Sequence, residues 1–114
     1  MKVSLVKKQT LINYAIKHAE SRTSFFDFFS RIKAADWEKP GDMKATFGNA
    51  DILGKSSDRV VFNIGGNNHR LICTYRFREK SVRLYVRWLG THSDYTALCD
   101  RKQQYTADNH ENFI

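Results

Sequence analysis

The sequence predicts an α+β protein in which helices near the N-terminus pack on one face of an antiparallel sheet. Three observations carry this reading. Apolar residues recur at helical spacing between Leu11 and Ile32, three runs dense in β-branched and aromatic residues fill the stretch from Arg59 to Leu89, and short polar segments separate those runs. With 114 residues, 41% of them hydrophobic and 13% aromatic, the chain has the material for one domain with its own core. The expected organisation is a single domain over residues 1–98 and a polar C-terminal tail over residues 99–114.

Taken in order, Lys2 to Val6 suits a short strand. Thr10 can cap a helix carrying Leu11, Ile12, Ala15, Ile16 and Ala19 on one side. Thr23 or Ser24 can cap a second helix, whose Phe25, Phe28, Phe29 and Ile32 fall at i, i+3, i+4 and i+7 and therefore on one core-facing stripe. The segment Trp37 to Phe47 reads as a turn in which Pro40 opens a short helical piece, with Trp37, Met43 and Phe47 closing over the core. Gly48 to Asp58 is rich in Gly, Ser, Asn and Asp and reads as a loop.

Arg59 to Ile64, Asn68 to Phe77 and Val82 to Leu89 then form a meander, interrupted at Gly65-Gly66-Asn67 and at Arg78-Glu79-Lys80-Ser81. Side chains alternate across a strand. Val60, Phe62, Ile64, Leu71, Cys73, Tyr75, Phe77, Val82, Leu84, Val86 and Trp88 are therefore expected on the helix-covered face. The other face collects Arg59, Val61, Asn63, Asn68, Arg70, Ile72, Thr74, Arg76, Arg83, Tyr85 and Arg87. A two-residue Gly65-Gly66 turn would set Asn63 opposite Asn68 and Val61 opposite Arg70; an even loop at 78–81 would set Arg76 opposite Arg83, Ile72 opposite Arg87 and Arg70 opposite Leu89.

Charge is segmented. The chain holds 19 Lys and Arg against 12 Asp and Glu, a formal +7. Residues 1–35 carry seven basic and two acidic side chains and residues 59–92 seven and one, whereas residues 36–58 and 93–114 are each net acidic by two. Five arginines on one sheet face with no carboxylate repel one another unless a polyanion joins them, and the planar guanidinium fork suits phosphate. No apolar run approaches the roughly 18 residues of a membrane span. The opening Met1 to Lys8 lacks the apolar stretch and cleavage site of a signal peptide, so a cytoplasmic protein is expected. Cys73 and Cys99, without CxxC spacing, read as free thiols, and neither a cofactor nor a metal is called for.

The third strand runs into Gly90-Thr91-His92-Ser93-Asp94-Tyr95, which brings His92 and Tyr95 to the sheet end holding Asn63, Asn68 and Arg70. An imidazole can move a proton near neutral pH, a phenol can orient or donate, and a guanidinium can stabilise extra charge on phosphorus. RNA supplies its own nucleophile, the 2′-hydroxyl, so these groups suffice for cleavage without a metal. Arg76 and Arg83 lie about 20 Å farther along the strands, at 3.3 Å per residue, and are expected to hold backbone with Arg59 and Arg87. His69 alternates onto the core face and reads as a packing residue; His18 and His110 look incidental.

Together, Trp37-Glu-Lys-Pro-Gly-Asp42-Met-Lys44-Ala-Thr-Phe47, Arg59-Val-Val-Phe-Asn63-Ile-Gly-Gly-Asn67-Asn-His-Arg70-Leu and Arg87-Trp-Leu-Gly90-Thr-His92-Ser-Asp-Tyr95 resemble the HigB toxins of bacterial type II toxin-antitoxin systems, within the RelE-like superfamily. The resemblance implies a RelE-like fold, with two N-terminal helices on one face of a curved antiparallel sheet and a short C-terminal helix. It implies a ribosome-dependent mRNA endonuclease neutralised by a HigA-type helix-turn-helix antitoxin, the complex binding operator DNA. It supports Arg70, His92 and Tyr95 as catalytic residues and places Asn63 where relatives often carry a basic side chain. Where the family often has Lys-Tyr before the arginine, this chain has Asn68-His69, one charge fewer. The alternative is a toxin of the same scaffold that blocks a protein target such as a topoisomerase; a plain RNA-binding module is a third reading. The tail suits a frayed end or an antitoxin contact.

Overall fold

The computed structural model describes residues 1–66 and 68–113. Five strands form one sheet: β1 (Lys2–Val6), β2 (Asp51–Ile52), β3 (Arg59–Ile64), β4 (His69–Phe77) and β5 (Ser81–Thr91), in the spatial order β1-β5-β4-β3-β2. Helices α1 (Lys8–Lys17) and α2 (Arg22–Ala34) follow β1, α3 (Asp42–Thr46) precedes β2, and α4 (His92–Asp100) follows β5 without a linker. The sheet is mixed rather than purely antiparallel. β1 runs parallel to β5, because the α1–α2 pair carries the chain back across the sheet before the meander begins.

The main core lies between the two long helices and the inner sheet face. Leu11, Tyr14, Phe25, Phe28 and Ile32 meet Val60, Phe62, Leu71, Cys73, Leu84 and Val86 there, with Trp37, Met43 and Phe47 closing one end. Helix starts differ from expectation. Thr10 lies inside α1 and is buried, while Lys7 in the left-handed conformation precedes the helix; α2 begins at Arg22 without a side-chain cap. Ile16, expected on the core stripe, is 61% exposed.

Two register differences shape the outer face. The β3–β4 connection pairs Ile64 with His69 and Asn63 with Arg70, two residues away from a Gly65-Gly66 two-residue turn. Gly65 and Gly66 both have positive φ, 71° and 67°, a conformation open to glycine at little cost. Asn67 of this turn lies outside the described residues. Along β4 and β5, Arg76 faces Arg83 as expected, yet Cys73 pairs with Val86 and Ile72 with Trp88, so Arg87 is an extra residue in β5. The bulge reverses the alternation beyond it. Leu89 enters the main core, and Trp88, expected there, turns outward to join Val61, Ile72 and Leu98 in a second apolar cluster.

That second cluster is roofed by α4 and the segment after it. Asn109 accepts from the Leu89 N–H at 2.8 Å and donates to its carbonyl at 2.7 Å, and the Asn109 N–H donates to the Arg87 carbonyl at 2.8 Å. A short 3-10 turn, His110–Phe113, then rests against α1. The segment is therefore docked rather than frayed; Ile114 lies outside the described residues.

Candidate active site

The site forms where β4, the end of β5 and the start of α4 converge. Thr91 caps α4 with a reciprocal box: its hydroxyl accepts from the Asp94 N–H at 3.1 Å, and the Asp94 carboxylate accepts from the Thr91 N–H at 3.2 Å. The His92 N–H donates to the Asn68 carbonyl at 2.8 Å, tying the helix to the β3–β4 loop. His92 is thereby held as the first helical residue, exposed, with Tyr95 three positions on and on the same side. A Thr-x-x-Asp spacing is a visible helix-start signal, and it fixes this geometry.

Arg70 reaches this corner from β4, opposite Gly90 and Asn63. It is 6% exposed. Its Nη1 donates to the His69 carbonyl at 3.2 Å and its Nη2 to His92 Nδ1 at 2.9 Å. A guanidinium only donates, so Nδ1 must accept and the neutral ring carries its proton on Nε2. The Arg70 Cζ also lies 5.9 Å from the Tyr95 ring centroid, and Tyr95 leans on Trp88 at 6.1 Å. Burial pushes the Tyr95 phenol well above its ordinary pKa; a hydrogen bond with Cys99 and the charge of Asp51 act in the same direction, against the pull of Arg70.

The sequence-predicted catalytic residues Arg70, His92 and Tyr95 thus come together, with Asn63 in register beside Arg70. Asn68 is exposed and contributes its carbonyl. The remaining arginines divide. Arg76 and Arg83 are exposed and directly paired across the far end of the sheet. Arg76, Arg78 and Arg87 line a polar hollow of about 400 Å³ with Thr74 and Tyr85. Arg87 donates to Thr74 Oγ1 at 3.0 Å and stands 3.6 Å from Asp108. Arg59 lies beneath the tail, donating to the Ala107 carbonyl at 2.7 Å and the Gln104 carbonyl at 3.3 Å. It is only 7% exposed and does not face solvent with the others. Sequence reasoning missed Trp88 as the platform under Tyr95, hidden by the bulge, and Arg78, which it left in a loop.

A guanidinium, an imidazole and a phenol thus meet at the rim of a mixed sheet in a small α+β protein. Residues 21–98 match the HigB toxin family, the RelE-like toxic component of a toxin-antitoxin system, and this chain belongs to that family. The mRNA interferase HigB of Escherichia coli O6:H1 is 26% identical over 107 residues, covering 94% of this chain and 98% of that protein. The mRNA interferase toxin HigB of Escherichia coli K12 is 29% identical over 91 residues, covering 80% and 86%. The mRNA interferase HigB of Shigella flexneri matches to the same extent. Among the described residues, no helix is long and apolar enough to cross a membrane.

Proposed function

We propose that this toxin is a metal-independent mRNA endonuclease that acts in the cytoplasm on messages held in the ribosome, is neutralised by a HigA-type antitoxin, and meets operator DNA only through that complex. The observation that carries the reading is the contact of the Arg70 guanidinium with His92 Nδ1, beside the Tyr95 ring. An incoming phosphate competes for the Arg70 fork and releases the Nδ1 lone pair. His92 then takes the proton of the 2′-hydroxyl as its oxygen bonds to phosphorus. The bond from phosphorus to the 5′ oxygen breaks, and Tyr95, kept protonated by burial, is placed to orient the phosphate or to hand a proton to that oxygen. The products are a 2′,3′-cyclic phosphate and a 5′-hydroxyl. Arg70 neutralises the charge that builds on the phosphate, the task a metal performs elsewhere.

Asn63 and Asn68 would contact the nucleotide beside the scissile bond, while Arg76, Arg83 and Arg87, with Arg78, would hold message or ribosomal RNA. Arg59 serves in this reading as the anchor of the tail. The test is induction of Arg70→Ala and His92→Gln in cells, with mapping of message ends. Each variant is expected to lose cleavage by ~10² to 10⁴-fold and to relieve growth arrest while keeping its circular dichroism spectrum. Full toxicity of both variants overturns the site. Growth arrest with intact messages favours instead a toxin that blocks a protein target such as a topoisomerase.

A further inference from the structure

On the face of β4 opposite Arg70, the structure brings His69 to a pair of side chains, His18 and Glu20, that lie about fifty residues earlier in the sequence. His69, at the start of β4, is 3% exposed and points to the helix side. Its Nε2 lies 3.1 Å from Glu20 Oε1, and its Nδ1 lies 2.8 Å from the Tyr14 hydroxyl. His18, at the end of α1, brings Nδ1 to 4.0 Å from the same Glu20 oxygen, and its ring stacks on Tyr14 at 4.1 Å. One ligand atom from each of His18, Glu20 and His69 falls within a 4.8 Å sphere of separations.

We propose that His18, Glu20 and His69 form a zinc site that clamps the end of α1 to the start of β4. Two imidazoles and a carboxylate are a recognised donor set for Zn²⁺, which takes bonds of about 2.0–2.2 Å and therefore ligand separations of about 3.3 Å. The His69 and Glu20 atoms already stand at that spacing. His18 must close by about 1 Å, which is open to it because its side chain is one-third exposed and that of Glu20 64% exposed. The same exposure leaves the fourth position to water.

Tyr14 supplies the outer support. When Nε2 turns its lone pair to the metal, the His69 proton resides on Nδ1 and is donated to the phenol oxygen, which accepts as readily as it donates. His69 and Arg70 are adjacent and alternate across β4, so this ion would sit behind the sheet and stiffen it without touching the scissile phosphate. Its role is structural. It leaves the proposed metal-free cleavage unchanged.

The experiment titrates Zn²⁺ into the full chain, freed of any affinity tag, by calorimetry, with Co²⁺ as a spectroscopic probe. One ion per chain is expected to bind at about micromolar affinity or tighter. Zinc at a hundred times the dissociation constant is expected to raise Tm by roughly 5–15 °C. Glu20→Gln alters an exposed side chain and His18→Ala one that is one-third exposed at the end of α1, so both are expected to fold and to weaken binding at least tenfold. The cobalt form should show visible bands of a four-coordinate nitrogen and oxygen site. Absence of saturable binding, unchanged affinity in both variants, or a thiolate charge-transfer band pointing to Cys99 overturns the site.

Discussion

Burial raises the affinity of the Tyr95 phenol for its proton, and Tyr14 is raised in the same way, with the charges of Asp94 and Glu20 adding to the effect. In the unfolded chain a tyrosine ionises near pH 10. Just above that pH the unfolded state releases protons that the folded state keeps. The contribution of these two tyrosines therefore holds up to about pH 10 and falls beyond it, by at most about 1.4 kcal/mol per pH unit for each. Urea midpoints recorded from pH 8 to 11.5 should show this decline, and Tyr95→Phe should make it shallower. At neutral pH the same substitution keeps the ring against Trp88 and beneath Arg70, so stability is expected to change by less than about 1 kcal/mol. Message cleavage should nevertheless fall by ~10-fold or more if the hydroxyl orients or donates, which a primer-extension assay on translated messages measures.

At the scale of elements, the junction of β5 and α4 decides whether His92 is in place. Thr91→Ala removes one half of the capping box and should cost about 1 kcal/mol in urea unfolding. Because His92 is the first residue after the cap, cleavage should fall further than that loss of stability explains. Gly90→Ala acts from the other side. A Cβ there would stand 2.4 Å from the far edge of the Trp88 ring, forcing the platform under Tyr95 to move, at about 1–3 kcal/mol. Strands β3, β4 and β5 were legible within two residues at each end because Val, Ile, Tyr and Phe alternate along them between turn residues. Trp88 was misplaced because Val82, Leu84, Val86 and Trp88 keep an unbroken period of two, and a one-residue bulge leaves no mark on such a pattern. The Arg70–His92–Tyr95 corner was legible although the register was not, since any register close to the true one brings the end of β5 beside Arg70. The pairing of His18 with His69 was illegible, because it depends on how α1 ends against a strand about fifty residues later.

For the whole molecule, the arginines grouped by sequence onto one face fall into two structural settings, exposed and buried beneath the tail, and one pair of measurements tests whether their tasks differ as well. Arg76 and Arg83 face each other, exposed and without a carboxylate partner among the described residues, an arrangement that a phosphate chain relieves. Each phosphate contact displaces a counterion on binding. Arg76→Gln and Arg83→Gln should each therefore reduce the slope of log affinity for RNA against log salt by about 0.7 to 1, with little change in urea midpoint. Arg59 is different. Burial lowers its pKa from the usual arginine range, and its guanidinium holds the carbonyls of Gln104 and Ala107, which bring the tail over Val61, Ile72 and Trp88. Arg59→Gln shortens the side chain and strands those carbonyls, so it should cost about 1.5–3 kcal/mol of stability. Its salt slope should match that of the parent chain. If Arg59→Gln instead lowers the salt slope and leaves stability intact, the tail is not what Arg59 holds, and the basic surface extends to the β3 end of the sheet.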